Sequence, residues 1–410
     1  MPSQFCASRS LPNFTGTVLD KNLKLVAVLG TGAFGKVYKA IDLDSPADCP
    51  TFYAVKCLRL QPVGSHQRQQ QEQEIRYHLA VAEDPRVVSL HRYFTSGEYL
   101  FVVLDYAETD VLEVLANEKV FHRRPDRVKE AFGEILDGVE ALHRQGIYHR
   151  DIKPDNLLCD SDGKNIRIAD FGLSTKKIRS LLLGCGSPGY MCPESLERSH
   201  PTALEGYSPK DNDIWAVAVL FCNFVAGVMP WQKALVSDPA FKHFIHHEDH
   251  LIHDLGLTKE TNALLRRCFH KNPQMRPTLA EFRSAINAME RFTLADPLPS
   301  STNAVTSNKQ PMEGGSSSSS SRRSDGSEEE YSTPPTSCMP SSPSQSQADA
   351  SARHAPKSGR TRRFPRRLFK AKGKHTPSPS PEPNTPAVQI ERRKRRSSLQ
   401  LLAKNLGLSW

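Results

Sequence analysis

Hydrophobic side chains follow two regimes along the chain. From about Lys24 to Leu104 they come in short β-branched or aromatic runs, LKLVAVLG, GKVYKAID, FYAVKCLRL, VVSLHRYF and YLFVVLDYA, divided by Gly, Pro and Ser. Such runs predict strands. One helical stretch, QQEQEIRYHLAVA, interrupts them. From Asp110 onward the period becomes helical. VKEAFGEILDGVEALHRQG is apolar at Val128, Phe132, Ile135, Leu136, Val139 and Leu142 and closes on a glycine suited to a C-cap. DIWAVAVLFCNFVAG is apolar nearly all round, the mark of a buried helix. Near residue 293 both periods stop. GGSSSSSS, STPPTS and TPSPSPEPNTP follow, too poor in apolar groups to offset their own ordering entropy. The expected fold class is α+β: an N-terminal extension (1–23), a domain (24–292) with an antiparallel sheet lobe plus one helix and a larger helical lobe, and a disordered, basic, Ser/Pro-rich tail (293–410).

Composition changes this picture mainly through charge. The 410 residues carry a net +9, which raises the question of nucleic acid or an anionic membrane. Residues 293–410 hold about 19 basic against about 9 acidic side chains, so the excess belongs to the tail and the first 292 residues are close to neutral. The 9 cysteines are scattered and never arranged as CxxC, which argues against a disulfide framework or a zinc site built on cysteine. The N-terminus lacks the pattern of a secretory leader, and no apolar run reaches the roughly 18 residues needed to span a bilayer. These features predict a soluble protein of a reducing, intracellular compartment.

Chemistry concentrates at two places. GTGAFGKV places Gly30, Thr31, Gly32, Ala33, Phe34, Gly35, Lys36 and Val37 directly after a strand. Its glycines allow close backbone approach to anionic oxygens, although a tight hairpin needs no more than this. A strand rather than a helix follows, which excludes a Rossmann reading. Lys56 then sits on an apolar strand. It either snorkels to solvent or faces inward, where it needs anions: a triphosphate and a carboxylate from the next helix. Glu72 and Glu74 lie about 200° apart around that helix, so one of them faces the lysine, and Glu74 is the choice. Farther on, HRDIKPDNLL sets Asp151, Lys153 and Asn156 on one tight loop anchored by Leu157 and Leu158. Asp151 can accept a hydroxyl proton, Lys153 can neutralise a transferring phosphoryl group, and Asn156 can hold a metal ion. Asp170, in DFG, supplies a second metal-binding oxygen, and a hard cation such as Mg²⁺ suits that pair.

The ordered series GxGxxGxV, AVK, HRDIKPDN, DFG, CPE, DIW and a late RP resembles the eukaryotic protein kinase family over residues 24–292. The resemblance implies a bilobal fold, ATP in the cleft, Mg²⁺, and transfer of the γ-phosphoryl group to a protein hydroxyl. Asp151 would be the base, Asn156 and Asp170 the metal ligands, and Lys56, paired with Glu74, the contact to the α- and β-phosphates. By position in the motifs, Asp105, Tyr106 and Ala107 would form the hinge, with Leu104 behind the adenine. Val37, Ala54 and Leu158 would sandwich the base, and Asp110 would reach the ribose. Glu194 would pair with Arg276, and Asp213 would brace the catalytic loop. Lys153 and Ser187 follow the serine/threonine pattern, and Asp110 and Asp155 suggest a preference for arginine upstream of the acceptor. GYSPKDNDIWAVAVLFCNFVAGVMPWQKAL and neighbouring stretches resemble a fungal kinase group. That group includes the negative regulator of sexual conjugation and meiosis and glucose-response and cell-cycle kinases. It implies a role in nutrient or developmental signalling.

Cys192 and Ala218 depart from the family pattern by small changes that packing can absorb. Arg150 would take an anion from the activation loop, supplied by phosphorylated Ser174, Thr175 or Ser180, unless that loop is ordered unmodified. In FKHFIHHEDHLIH, His243, His246 or His247, and His250 share one helical face, and a solvated helix surface is expected. The tail clusters, including five cations from Arg392 to Arg396, fit a nuclear import receptor, an anionic lipid surface or nonspecific nucleic acid. No fold for sequence-specific nucleic-acid recognition accompanies them. Ser397 and Ser398, and the proline-directed Thr376, Ser378, Ser380 and Thr385, are candidate sites for upstream kinases. The expected location is cytoplasm, nucleus or both. The competing readings are a pseudokinase scaffold, which would need none of Lys56, Asp151, Asn156 and Asp170 together, and a nucleic-acid binder, which leaves the first 292 residues unexplained.

Overall fold

Alternation builds the first lobe. In the computed structural model, which describes residues 11–32, 35–196 and 205–297, strands β1 (Val18–Leu19), β2 (Leu23–Thr31), β3 (Lys36–Asp42), β4 (Phe52–Arg59), β5 (Leu90–Ser96) and β6 (Tyr99–Asp105) form one antiparallel sheet. Its spatial order is β1-β2-β3-β4-β6-β5. Val55, Cys57, Phe101 and Val103 fill one face with Leu23, Leu25 and Tyr38. Leu58, Leu100 and Val102 fill the other, against Ile75 of helix α1 (His66–Val81). Strand parity thus puts Lys56, which lies opposite Val37 and Val102, on the α1 face. The Ser65 side chain caps α1 by accepting from the Arg68 N–H.

The second lobe is helical: α2 (Val111–Leu115), α3 (Glu118–Phe121), α4 (Pro125–Arg144), α5 (Pro193–Leu196), α6 (Pro209–Ala226), α7 (Pro239–His246), α8 (His250–Leu255), α9 (Lys259–Cys268) and α10 (Leu279–Ala288). A small sheet of β7 (Thr109–Asp110), β8 (Leu157–Cys159) and β9 (Arg167–Ile168) adjoins it. The apolar stripe expected of α4 is buried, and the helix ends ahead of Gly146, whose φ of 65° takes the left-handed turn. Every residue of α6 from Asn212 to Cys222 is buried. Phe132 of α4 meets Phe221 and Phe224 of α6, each with ring centroids 5.0 Å apart, in edge-to-face contact. Cys192 and Ala218 sit in this core with no exposure.

Packing extends past both expected domain boundaries. The described residues before Lys24, 11–23, are part of the first lobe: Phe14 packs on Tyr99 at 4.9 Å and on Phe101 at 5.8 Å. Past residue 292, the Asp296 carboxylate accepts from the Phe292 and Thr293 N–H groups at 2.7 and 2.9 Å. Both contacts are between segments distant from the motifs, so no motif marks them. Among the described residues, no helix is long and apolar enough to cross a membrane, and the cysteines are free thiols. The tail clusters, Ala33 and Phe34 lie outside the described residues.

Candidate active site

Lys56 faces inward. Its Nζ donates to Glu74 Oε1 at 2.7 Å and to Asp170 Oδ1 at 2.9 Å, so one ammonium joins the sheet, α1 and the helical lobe. Burial alone would lower its pKa, but the two carboxylates outweigh burial and hold it above the ordinary lysine value. Reciprocally, the Lys56 charge holds the Asp170 carboxyl far below its ordinary value, against the opposing effect of burial. Glu72 belongs elsewhere: it accepts from Arg68 at 2.7 Å, one turn back on α1.

Asp151 is positioned from three sides. Its Oδ1 accepts the Ser187 N–H at 2.9 Å, and its Oδ2 accepts Asn156 Nδ2 and Lys153 Nζ, each at 3.0 Å. Lys153 Nζ also donates to Ser187 Oγ at 2.9 Å. Beneath the loop, buried Asp213 accepts the His149 and Arg150 N–H groups at 2.8 and 2.7 Å and contacts His143 Nε2 at 3.0 Å. Arg150 and Asp170 have φ of 67° and 63°, a left-handed conformation that costs of order 1–3 kcal/mol at a residue other than glycine. The bonds to Asp213 and Lys56 hold those two turns in place.

A hard cation fits the donor set here. Asn156 gives its amide N–H groups to Asp151, and among the described residues its side-chain carbonyl oxygen shows no protein donor. The Asn156 main-chain carbonyl accepts the Ala169 N–H at 2.9 Å, which seats Asp170 beside it. A carboxylate and an amide oxygen are ligands that Mg²⁺ accepts, with its remaining positions left to water and phosphate.

The glycine turn lies over the other side. Gly30 pairs with Val37 and Thr31 with Lys36 across β2 and β3, and the Gly32 N–H donates to Gly35 O at 2.9 Å. A Cβ at Gly35 would run into the Cys57 carbonyl oxygen, so this position needs glycine. Val37 and Ala54 share the Lys56 face, and Leu158 pairs with Asp110 on the opposite lobe. Lys36 points the other way: its ammonium donates to the Leu11 and Pro12 carbonyls.

At the hinge, the Asp105 carboxylate is already committed. It contacts His91 Nε2 at 2.6 Å and accepts from Arg167 Nη1 at 2.7 Å and the Ser89 N–H at 3.2 Å. The Asp105 N–H donates to Ser89 O at 3.1 Å. Asp110 caps α2 through the Glu113 N–H at 2.9 Å, and burial, with the nearby Asp155 and Glu113 charges, raises its pKa against those bonds.

Sequence reasoning missed what surrounds Arg150. Its guanidinium donates to Leu173 O at 2.6 Å and to Ser180 Oγ and Tyr207 Oη, both at 3.4 Å. These partners are neutral, and Ser174, Thr175 and Ser180 are all buried. Tyr207 lies 57 residues from Arg150, beyond any local signal. His78, stacked on Phe171 at 4.5 Å, was equally silent, and burial lowers its pKa to about 4.

The protein kinase domain family matches residues 23–286, and the chain belongs to that family. It is similar to the negative regulator of sexual conjugation and meiosis of Schizosaccharomyces pombe, 32% identical over 68% of this chain and 62% of that protein. It is also similar to serine/threonine-protein kinase ksp1 of the same yeast, 32% identical over 67% of this chain and 58% of that one. Serine/threonine-protein kinase SKS1 of Saccharomyces cerevisiae is 30% identical over 55% of this chain and 47% of its own length. The chain thus spans about half to three fifths of these curated relatives.

Proposed function

We propose that the chain is a Mg-ATP-dependent serine/threonine protein kinase. The observation that carries this reading is the bridging of Glu74 and Asp170 by Lys56, opposite an Asp151 whose carboxylate is fixed by Ser187, Asn156 and Lys153. Asp151 takes the proton of a substrate serine or threonine hydroxyl as the oxygen forms its bond to the γ-phosphorus and the bond to the β-phosphate oxygen breaks. Lys153 neutralises the moving phosphoryl group, and Lys56 anchors the α- and β-phosphates. Asn156 and Asp170 would hold Mg²⁺, which would supply positive charge to offset the phosphates. Asp110 and Asp155 favour arginine upstream of the acceptor. The name of one relative, a negative regulator of sexual conjugation and meiosis, favours a meiosis-related place within nutrient, cell-cycle or developmental signalling, and the basic tail supports a cytoplasmic and nuclear distribution with upstream kinases acting on its serines and threonines.

The test is phosphate transfer from Mg-ATP to a basic serine peptide and to the protein itself. Asp151→Asn is expected to lower the rate by about 10²–10⁴-fold. Equal, negligible transfer by both proteins would move the weight to a scaffold without catalysis.

A further inference from the structure

Five histidines fall between Phe241 and Asp254, and they do not form the single solvated helical face expected of them. Helix α7 stops at His246 and α8 starts at His250. The intervening turn brings His243 Nδ1 to 2.9 Å from His250 Nδ1. One turn farther along α8, Asp254 Oδ2 lies 3.4 Å from the same His250 nitrogen. All three ligand atoms lie within 4.8 Å of one another, the only such group of histidine, cysteine or acidic residues among the described residues. The His247 ring stands 4.1 Å from that of His243.

His250 is 3% exposed, which disfavours a charge on its ring, whereas His243 and Asp254 open to solvent and give an ion a way in. Two neutral imidazoles whose Nδ1 atoms meet present at least one lone pair between them, and the carboxylate adds an anionic oxygen. Tetrahedral zinc, with bonds of about 2.0–2.1 Å, sets its ligand atoms roughly 3.3 Å apart. The separations of 2.9 and 3.4 Å straddle that value. Two nitrogens and one oxygen select a borderline transition metal over Mg²⁺ or Ca²⁺, which take oxygen ligands. The turn is also held from behind: Arg266 Nη1 of α9 donates to the Phe244 and His247 carbonyls, both at 3.2 Å, and Asn262 Nδ2 donates to Glu248 O at 3.1 Å.

We propose that His243, His250 and Asp254 form a zinc site, its fourth position open to His247 or water, that clips α7 to α8 and shares no residue with the catalytic cleft. The test is calorimetric titration of the full chain with Zn²⁺ in excess Mg²⁺, with Co²⁺ absorption as a report of tetrahedral nitrogen and oxygen ligation. One equivalent of Zn²⁺ is expected to bind. His243→Ala and Asp254→Asn, both at exposed positions, are expected to weaken binding by at least about tenfold while circular dichroism stays unchanged. His253→Ala should bind as the parent does. Absence of stoichiometric uptake, or unchanged affinity in both ligand variants, would overturn the site and leave a proton shared between two imidazoles.

Discussion

At the scale of single residues, the cleft is governed by one cation between two carboxylates. Lys56 holds Asp170 ionised and is itself kept charged by Asp170 and Glu74. Lys56→Met removes the charge proposed to meet the phosphates and takes away the counterion shared by Glu74 and Asp170. Steady-state assays are expected to show kcat/KM falling by about 10²–10³-fold, and a rate within a few-fold of the parent would refute the assigned role. The helical period narrowed the lysine's partner to one of Glu72 and Glu74; the structure adds that Arg68, one turn before Glu72, pairs with it, while Glu74 meets Lys56. The commitment of the Asp105 carboxylate was not legible, because His91 and Arg167 reach it from 14 and 62 residues away.

At the scale of elements, the expected pair between Glu194 of α5 and Arg276, ahead of α10, joins parts of the chain 82 residues apart. Arg276 donates twice, at 2.6 and 3.0 Å, and its guanidinium lies 4.9 Å from the centre of the Trp215 ring. Burial by itself would raise the Glu194 pKa, but the Arg276 hydrogen bonds and charge outweigh it and the net shift is downward. A depressed carboxyl adds stability that is complete above its unfolded pKa and is lost as pH falls through the folded one. Arg276→Ala strands a buried carboxylate and is expected to cost about 3–5 kcal/mol at neutral pH. The deficit should shrink as pH falls through and below the ordinary glutamate range of about 4.3, where Glu194 takes up a proton. Urea unfolding of both proteins across that range checks the sign. A deficit that stays constant with pH would mean that lost packing on Trp215, not charge, dominates.

At the scale of the whole molecule, the helical lobe has one large core, whereas the sheet lobe has two smaller clusters on the two faces of its sheet. The two lobes were legible because each follows its own hydrophobic period, and the order of the motifs survives any change in loop length. The edges were not: Phe14 gains its role only from packing on Tyr99 and Phe101, far along the chain, and Asp296 from a local turn onto the Phe292 and Thr293 N–H groups that no motif marks. Asp170 and Lys56 come from different lobes, so a ligand held by both should stabilise the folded chain as a unit. At a hundredfold excess over its Kd, Mg-ATP is expected to add about 2.7 kcal/mol, read as a rise in the thermal midpoint. Asp170→Asn should lose most of that gain, because the variant gives up the proposed metal ligand and a charge beside Lys56. Asp151→Asn should keep it, because the role proposed for Asp151 is toward the acceptor hydroxyl and not the nucleotide. Equal loss in both variants would mean that Asp151 holds the nucleotide site together, and would contradict the division between binding and chemistry that the geometry supports.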